Sequence, residues 1–146
     1  MRCMAASRLF VDTWGWLVLS NDRDAAFGPV SRIRASAAGQ GDTWVTTDYV
    51  LDETMTRLFA ATPFAAARRF TEGLFEASRQ GALDIEHVTP ERFSRAWRLR
   101  LRYHDKPRIS FTDLTSFVVM RELGLEHVLT GDAHFEQVGL GFVRVP

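Results

Sequence analysis

The sequence predicts an α/β protein, a three-layer α/β/α arrangement with a central parallel sheet of four to five strands flanked by helices. Three observations carry this. Short runs rich in apolar and β-branched residues recur, as in Leu9-Phe10-Val11, Trp44-Val45-Thr46-Thr47 and Val128-Leu129. Stretches of helical periodicity lie between them. Gly, Pro, Ser, Thr and Asp mark most of the boundaries. Strands that alternate with helices imply parallel pairing through right-handed crossovers, with helices on both faces.

The first strand is Arg8 to Asp12, a compact apolar run closed by a polar residue. Thr13 to Ser20 suits a helix or turn, and Asn21 to Asp24 a turn. Gly28-Pro29 punctuates the chain ahead of a helix over Val30 to Ala38, which Gly39-Gln40-Gly41 ends. Trp44 to Thr47 is the second strand. Asp48 suits the cap of a helix reaching about Ala61. Thr62-Pro63 predicts the next helix start, with Thr as the cap and Pro in the first turn. That helix places Phe64, Ala67, Phe70, Leu74 and Phe75 at helical spacing and ends at Gln80-Gly81. Leu83 to Val88 is the third strand. Thr89-Pro90-Glu91 opens a helix with Phe93, Trp97 and Leu101 on one stripe, which places Trp97 in the core. Ser110 or Thr112 opens another, ending at Leu123-Gly124. Glu126 to Thr130 and Phe142 to Val145 complete the strands. The whole length, 1–146, reads as one domain, with residues 1–7 a loose tail and Met4 an alternative start.

Bulk properties exclude several classes. The composition, 46% apolar and 25% charged, is that of an ordinary globular protein, and 18 basic residues balance 18 acidic ones. A single cysteine, Cys3, forms no intramolecular disulfide, which fits a reducing cytoplasm. The apolar run Trp14 to Leu19 is far shorter than the ~20 residues of a membrane span. No phosphate-binding loop, dinucleotide glycine fingerprint or nucleophile elbow occurs. The histidines, His87, His104, His127 and His134, lack a zinc spacing. His134 is close to Asp132, but a surface histidine is the simpler reading.

Four acids stand out. Asp12 and Asp132 each follow an apolar strand, at the carboxyl end where open α/β sheets bind ligands. Asp113 lies in the first turn of a helix, four residues before Phe117 on the same face. Asp12 and Asp113 also suit helix capping and the helix dipole, and Asp132 suits a polar turn. The helix after the second strand carries Asp52 and Glu53. Its apolar stripe of Leu51, Met55 and Leu58 lies nearer Asp52, and periodicity does not choose between them. Acids converging on one crevice repel one another unless a cation intervenes, and hard divalent cations take oxygen ligands.

The set Leu9-Phe-Val-Asp12-Thr13, Val45 to Thr54, Ser110-Phe-Thr-Asp113-Leu-Thr-Ser-Phe117 and Leu129-Thr-Gly-Asp132-Ala-His-Phe135 resembles the PIN domain. The nearest likeness is to the single-domain PIN proteins that include VapC-type toxins, and it runs from about Arg8 to Val145. The resemblance implies that Asp12, Glu53, Asp113 and Asp132 form an acidic quartet that is both catalytic and metal-binding, and it selects Glu53 over Asp52. It implies auxiliary hydroxyls at Thr13 and Thr130, Mg²⁺ or Mn²⁺ as cofactor, and hydrolysis of RNA phosphodiesters. It also implies a homodimer and, as in the relatives that are toxins, a cognate antitoxin, although other relatives stand alone and the sequence does not separate the two cases. Action on DNA and a non-catalytic PIN-like scaffold are the alternatives. A phosphoacceptor receiver domain is disfavoured, because the only lysine, Lys106, does not follow a fourth strand.

Residues 92 to 108 hold seven cations, with Asp105 the only acid among them. Arg95, Arg98 and Arg102 fall on one helical face, which suits an RNA backbone. A solvated helix face, or pairing with acidic groups of an antitoxin, are the competing readings. Trp14, Trp16 and Phe64 are candidates for an apolar dimer face, which burial in the core explains equally.

Overall fold

The computed structural model describes residues 8–146, so the expected tail, Cys3 and Met4 lie outside the described residues. Among these residues five strands form one parallel sheet: β1 (Arg8–Val11), β2 (Thr43–Thr47), β3 (Leu83–Glu86), β4 (His127–Leu129) and β5 (Val143–Val145), in the spatial order β3-β2-β1-β4-β5. The chain grows outward from β1 to β3, then crosses to the other side of β1. That reversal makes the crevice beyond the ends of β1 and β4 the topological switch point, where such sheets bind ligands. Register across it is fixed by Phe10 opposite Val45 and Val128, and Val11 opposite Leu129.

Among the described residues seven helices flank the sheet: α1 (Thr13–Leu19), α2 (Phe27–Gln40), α3 (Asp48–Ala61), α4 (Phe64–Arg79), α5 (Pro90–Arg102), α6 (Phe111–Leu123) and α7 (His134–Gln137). Right-handed crossovers put α1 to α4 on one face and α5 and α6 on the other, which gives the three layers. The core between them includes Phe10, Val11, Val45, Val128, Leu129, Leu114, Phe117 and Phe135, all fully buried. Phe117 and Phe135 meet edge to face at 4.9 Å, and Phe142 joins them 5.6 Å from Phe117. Helix α6 is buried continuously from Asp113 to Met120, as befits the helix most enclosed by the fold.

The expected strands are all present, and the differences lie in caps and faces. Helix α2 begins ahead of Gly28-Pro29 and runs to Gln40, because a proline in the first turn sacrifices an N–H that has no intrahelical partner. Its left-handed end is Gly41, not Gly39. Thr47 caps α3 by accepting the Val50 N–H at 3.1 Å, while Asp48 accepts from Tyr49 and, across to the segment after β3, from Val88. Thr62 closes α3, and Pro63 precedes α4 without a side-chain cap. Thr89 caps α5 as the sequence predicts, and of the two expected starts of α6, Ser110 and Thr112, it is Ser110 that caps the helix. Helix α7 has no counterpart in the sequence reading; at four residues it is too short for periodicity to reveal.

Helix α5 departs most from what the sequence predicts. Phe93, Trp97 and Leu101 form an exposed stripe, with Trp97 52% exposed, and the helix instead buries Arg92 and Ala96. Arg92 goes inside because it is paired: its guanidinium donates to both carboxylate oxygens of Glu122 at 3.1 Å, to Glu86 and to the His87 carbonyl. Arg100 gathers the carbonyls of Tyr103, Lys106 and Ile109 at 2.6–2.7 Å and so holds the turn into α6. Trp16 is buried, Trp14 partly so, and only Phe64 of the three proposed dimer aromatics stands well exposed. Among the described residues, no helix is long and apolar enough to cross a membrane.

Helix α1 lies so close to the sheet that a Cβ on Gly15 would stand 2.9 Å from side-chain atoms of both Val11 and Leu129. Gly15→Ala should therefore destabilise the fold by about 1–3 kcal/mol through overpacking beside the crevice. A denaturant titration measures this, and unchanged stability would mean that α1 can move away without cost.

Candidate active site

Each sequence-selected acid reaches the β1/β4 crevice from a different element. Asp12 follows β1, its backbone N–H donates to the Leu129 carbonyl at 3.1 Å, and its side chain is buried. Asp113 sits three residues past Ser110, whose hydroxyl accepts the Asp113 N–H at 3.0 Å. The cap thus orients the first turn of α6 and, with it, the buried Asp113 carboxylate. Asp132 follows β4 in a loop tied down at both sides: its N–H donates to the Thr130 hydroxyl at 3.0 Å, and its Oδ1 accepts the His134 N–H at 2.8 Å. Glu53 comes from α3, which buries Val50, Leu51, Thr54 and Leu58. That face leaves Asp52 exposed to solvent and Glu53 half-buried at the edge of the crevice.

Hydroxyls join these carboxylates. Thr130 donates to Asp12 Oδ2 at 2.8 Å. Thr13 divides its proton between Glu53 Oε2 at 3.3 Å and the Val50 carbonyl at 3.4 Å. Glu53 also meets Arg57 at 3.9 Å on the exposed side of α3. Gly131 gives the loop its close approach to α1: a Cβ there would stand 2.8 Å from the Trp14 indole nitrogen.

The electrostatics follow from burial. Asp12 is pushed up to about 6, mainly by desolvation; the Thr130 hydroxyl and a backbone N–H oppose this, while Glu53 and Asp132 add to it. Asp113 is pushed up to about 8, again first by desolvation, then by the charges of Asp12, Asp132 and Glu53 and by a hydrogen bond with Asp132. Asp12 and Asp113 therefore each feel the charges of Glu53 and Asp132, and Asp113 also feels that of Asp12.

The structure adds a residue that the sequence reading set aside. His134, first in α7, points Nδ1 into the cluster, 3.1 Å from Asp132 Oδ1 and 3.8 Å from Asp113 Oδ2. One ligand atom each from Asp113, Asp132 and His134 lie within 4.8 Å of one another, a spacing that suits a metal ion. His134 Nδ1 is also one of two buried side-chain polar atoms, with Ser116 Oγ, that lack a hydrogen-bond partner among the described residues. Carboxylate oxygens with an unpartnered imidazole nitrogen form a donor set that fits a divalent cation.

The seven-cation segment divides by function. Arg92 and Arg100 serve the fold, and Arg95 meets Glu122 at 3.6 Å. Arg102 lies 5.5 Å from the Tyr103 ring centre, and Arg98 lines a surface groove with Arg95, Leu99, Val118, Arg121 and Glu122. Helices α5 and α6 run antiparallel, since Arg92 reaches Glu122 while Arg100 reaches Ile109. The Arg95 end is thus roughly 13 Å along α6 from Asp113, and the Arg102 end is nearer the acids.

This arrangement defines a class. Residues 9–140 match the PIN domain model, and the chain belongs to the PIN-domain family. Among curated proteins it is 35% identical, over 142 residues, to the 23S rRNA-specific endonuclease VapC20 of Mycobacterium tuberculosis, in strains CDC 1551 / Oshkosh and H37Rv; the match covers 93% of this chain and 98% of the relative. The crystal structure of that VapC20, described as a sarcin–ricin loop cleaving toxin, superposes with a TM-score of 0.77 over 94% of this chain and 98% of the other. VapBC2 from Rickettsia felis, bound to a DNA fragment from its promoter, shares the fold at 13% identity with a TM-score of 0.71, over 95% of this chain and 98% of the other.

Burial gives the cluster a testable pH dependence. The folded protein holds the Asp113 proton up to about 8, against an ordinary value of 3.8. Between those values it binds more protons than the unfolded chain, so stability falls as pH rises and levels off above about 8. In ion-free protein, Asp113→Asn should therefore melt increasingly above wild type from about pH 5 to about pH 8. A Tm-against-pH series tests this, and a constant difference would contradict the assigned burial and repulsion.

Proposed function

We propose that this chain is a Mg²⁺- or Mn²⁺-dependent endoribonuclease that cleaves structured ribosomal RNA in the cytoplasm as the toxin of a toxin–antitoxin pair. The observation that carries this reading is the buried Asp12 and Asp113 pair at the switch point, with Glu53 and Asp132 beside it. Buried carboxylates are costly unless paired or bound to a cation, and no arginine or lysine pairs with either buried acid among the described ion pairs. The 35% identity to VapC20 supports the reaction and an RNA of the same kind. A bound cation would offset the charge of the scissile phosphate and lower the pKa of a nearby water.

The chain's own residues divide the work. Asp12 and Asp113, the deepest acids, hold the cation. Glu53 and Asp132, more open to solvent, complete the site on the side from which RNA enters. Thr130 fixes one oxygen of Asp12 and leaves the other for the ion, while its hydroxyl also holds the Asp132 backbone. Thr13 orients Glu53 in the same way. Arg98 and Arg102 contact the RNA backbone, and Arg95 joins them if RNA displaces its contact with Glu122. The exposed Phe93, Trp97 and Leu101 stripe, and the Phe59–Phe64 pair, are apolar surfaces for the antitoxin and for a second copy of the chain.

The test uses a labelled ribosomal RNA hairpin and a DNA of matched sequence. EDTA should abolish RNA cleavage and Mg²⁺ or Mn²⁺ restore it. Asp12→Asn should lower the rate by more than about 100-fold, and Thr130→Val by about 10–100-fold as expected for loss of a partner that orients a ligand. Cleavage that survives EDTA or Asp12→Asn would overturn the mechanism. Equal cutting of the DNA would identify a nuclease of broader substrate range.

The basic helix has its own readout. Reversing Arg98 and Arg102 to Glu should weaken RNA binding and flatten the slope of log affinity against log salt by about one unit per residue. An unchanged slope would remove α5 from the interface.

A further inference from the structure

We propose that His134 coordinates the divalent cation through Nδ1, together with Asp113 and Asp132, and that this nitrogen makes the site prefer Mn²⁺ to Mg²⁺. The proposal rests on the reading of the acidic cluster as a cation site and extends it to a fifth side chain.

The distances are those of ligands around one ion. Metal–ligand bonds of about 2.1 Å in octahedral geometry place neighbouring donor atoms roughly 3 Å apart and opposite ones roughly 4.2 Å apart. His134 Nδ1 stands 3.1 Å from Asp132 Oδ1 and 3.8 Å from Asp113 Oδ2. The 3.1 Å contact falls within hydrogen-bonding range, yet its alignment makes no hydrogen bond, and the buried nitrogen has carboxylate oxygens around it but no hydrogen-bond partner. A buried polar atom in that condition costs free energy, which a metal bond recovers.

The ring is also held in place. His134 donates its backbone N–H to the same Asp132 carboxylate whose Oδ1 its ring approaches. The next residue, Phe135, is fully buried against Phe117, and Phe117 lies one helical turn beyond Asp113 on α6. One aromatic contact therefore sets the position of two of the three donors. A side chain fixed in this way loses little freedom when it binds an ion.

The preference follows from ligand chemistry. Mg²⁺ takes oxygen donors and retains several waters. An imidazole nitrogen adds affinity for first-row transition ions, and among these Mn²⁺ is close enough to Mg²⁺ in its ligand preferences to use the same carboxylates.

The experiment is Mn²⁺ titration of the full chain, followed by pulsed electron paramagnetic resonance of the loaded protein. Wild type should show the hyperfine coupling of a directly bonded nitrogen, and His134→Gln should lack it. Calorimetry should show His134→Ala losing at least about tenfold in Mn²⁺ affinity while Mg²⁺ affinity changes less than about threefold. A thermal melt of ion-free His134→Ala that matches wild type shows that the effect is not unfolding; if that variant does not fold, the wild-type spectrum decides. Absence of nitrogen coupling in loaded wild type, or equal loss of both ions in His134→Ala, overturns the proposal. If Asp113→Asn still abolishes Mn²⁺ binding in that case, the acidic site itself stands. Wild-type protein that binds no Mn²⁺ at all overturns both readings.

Discussion

Repulsion among carboxylates that the fold drives into one crevice is the constraint on which the rest of the structure depends. Asp12 and Asp113 are buried where water cannot fully solvate their charges, and Glu53 and Asp132 add negative potential to the same pocket. A fold optimised for stability alone would not collect these groups from four separate elements. Their arrangement costs stability in the ion-free state, a pattern common where structure has been fitted to function. The proposed cation makes this unfavourable cluster useful, because the charge that destabilises the empty pocket is what binds the ion.

The scaffold bears this strain through rigid supports. The order β3-β2-β1-β4-β5 opens the crevice beside β1, and the tight contact of Gly15 with Val11 and Leu129 keeps α1 close beneath it. Phe117, Phe135 and Phe142 join α6, α7 and the entry to β5, so the elements bearing Asp113 and Asp132 are packed together below the polar groups. Thr130 links the ends of β1 and β4 through a hydroxyl that donates to Asp12 and accepts from the Asp132 backbone. Apolar packing thereby positions charged groups that would otherwise move apart.

Much of this was legible in the sequence, for identifiable reasons. The strands announced themselves through compact apolar runs, and Asp12 and Asp132 through their place at the ends of those runs. Thr89 before Pro90 is a cap pattern that the structure shows, and Ser110 is the one of two expected starts that caps α6. Glu53 is different: the apolar stripe through Leu51, Met55 and Leu58 lies nearer Asp52 but does not choose between the two acids, whereas the helix buries Val50 and Thr54 as well and leaves Asp52 exposed. Only the family pattern separated the two. The exposure of Trp97 is not legible in the sequence, because an amphipathic stripe says that a face is apolar without saying what covers it; here Arg92 enters the interior, its charge met by Glu86 and Glu122. Those two partners lie 6 and 30 residues away along the chain, and the second pairing depends on the tertiary fold. The place of His134 is hidden in the sequence for a related reason. Its role depends on the short helix α7 and on Phe135 beneath it, neither of which leaves a periodic trace.

The most direct test of the central claim is the count of protons released when Mg²⁺ or Mn²⁺ binds, measured by calorimetry at pH 7 in buffers of different ionisation enthalpy. With Asp113 held protonated up to about 8 by burial and its neighbours, the account predicts close to one proton released per ion bound, and none from Asp113→Asn. Binding without proton release, or no binding at all, would show that the carboxylates do not share the pocket as described.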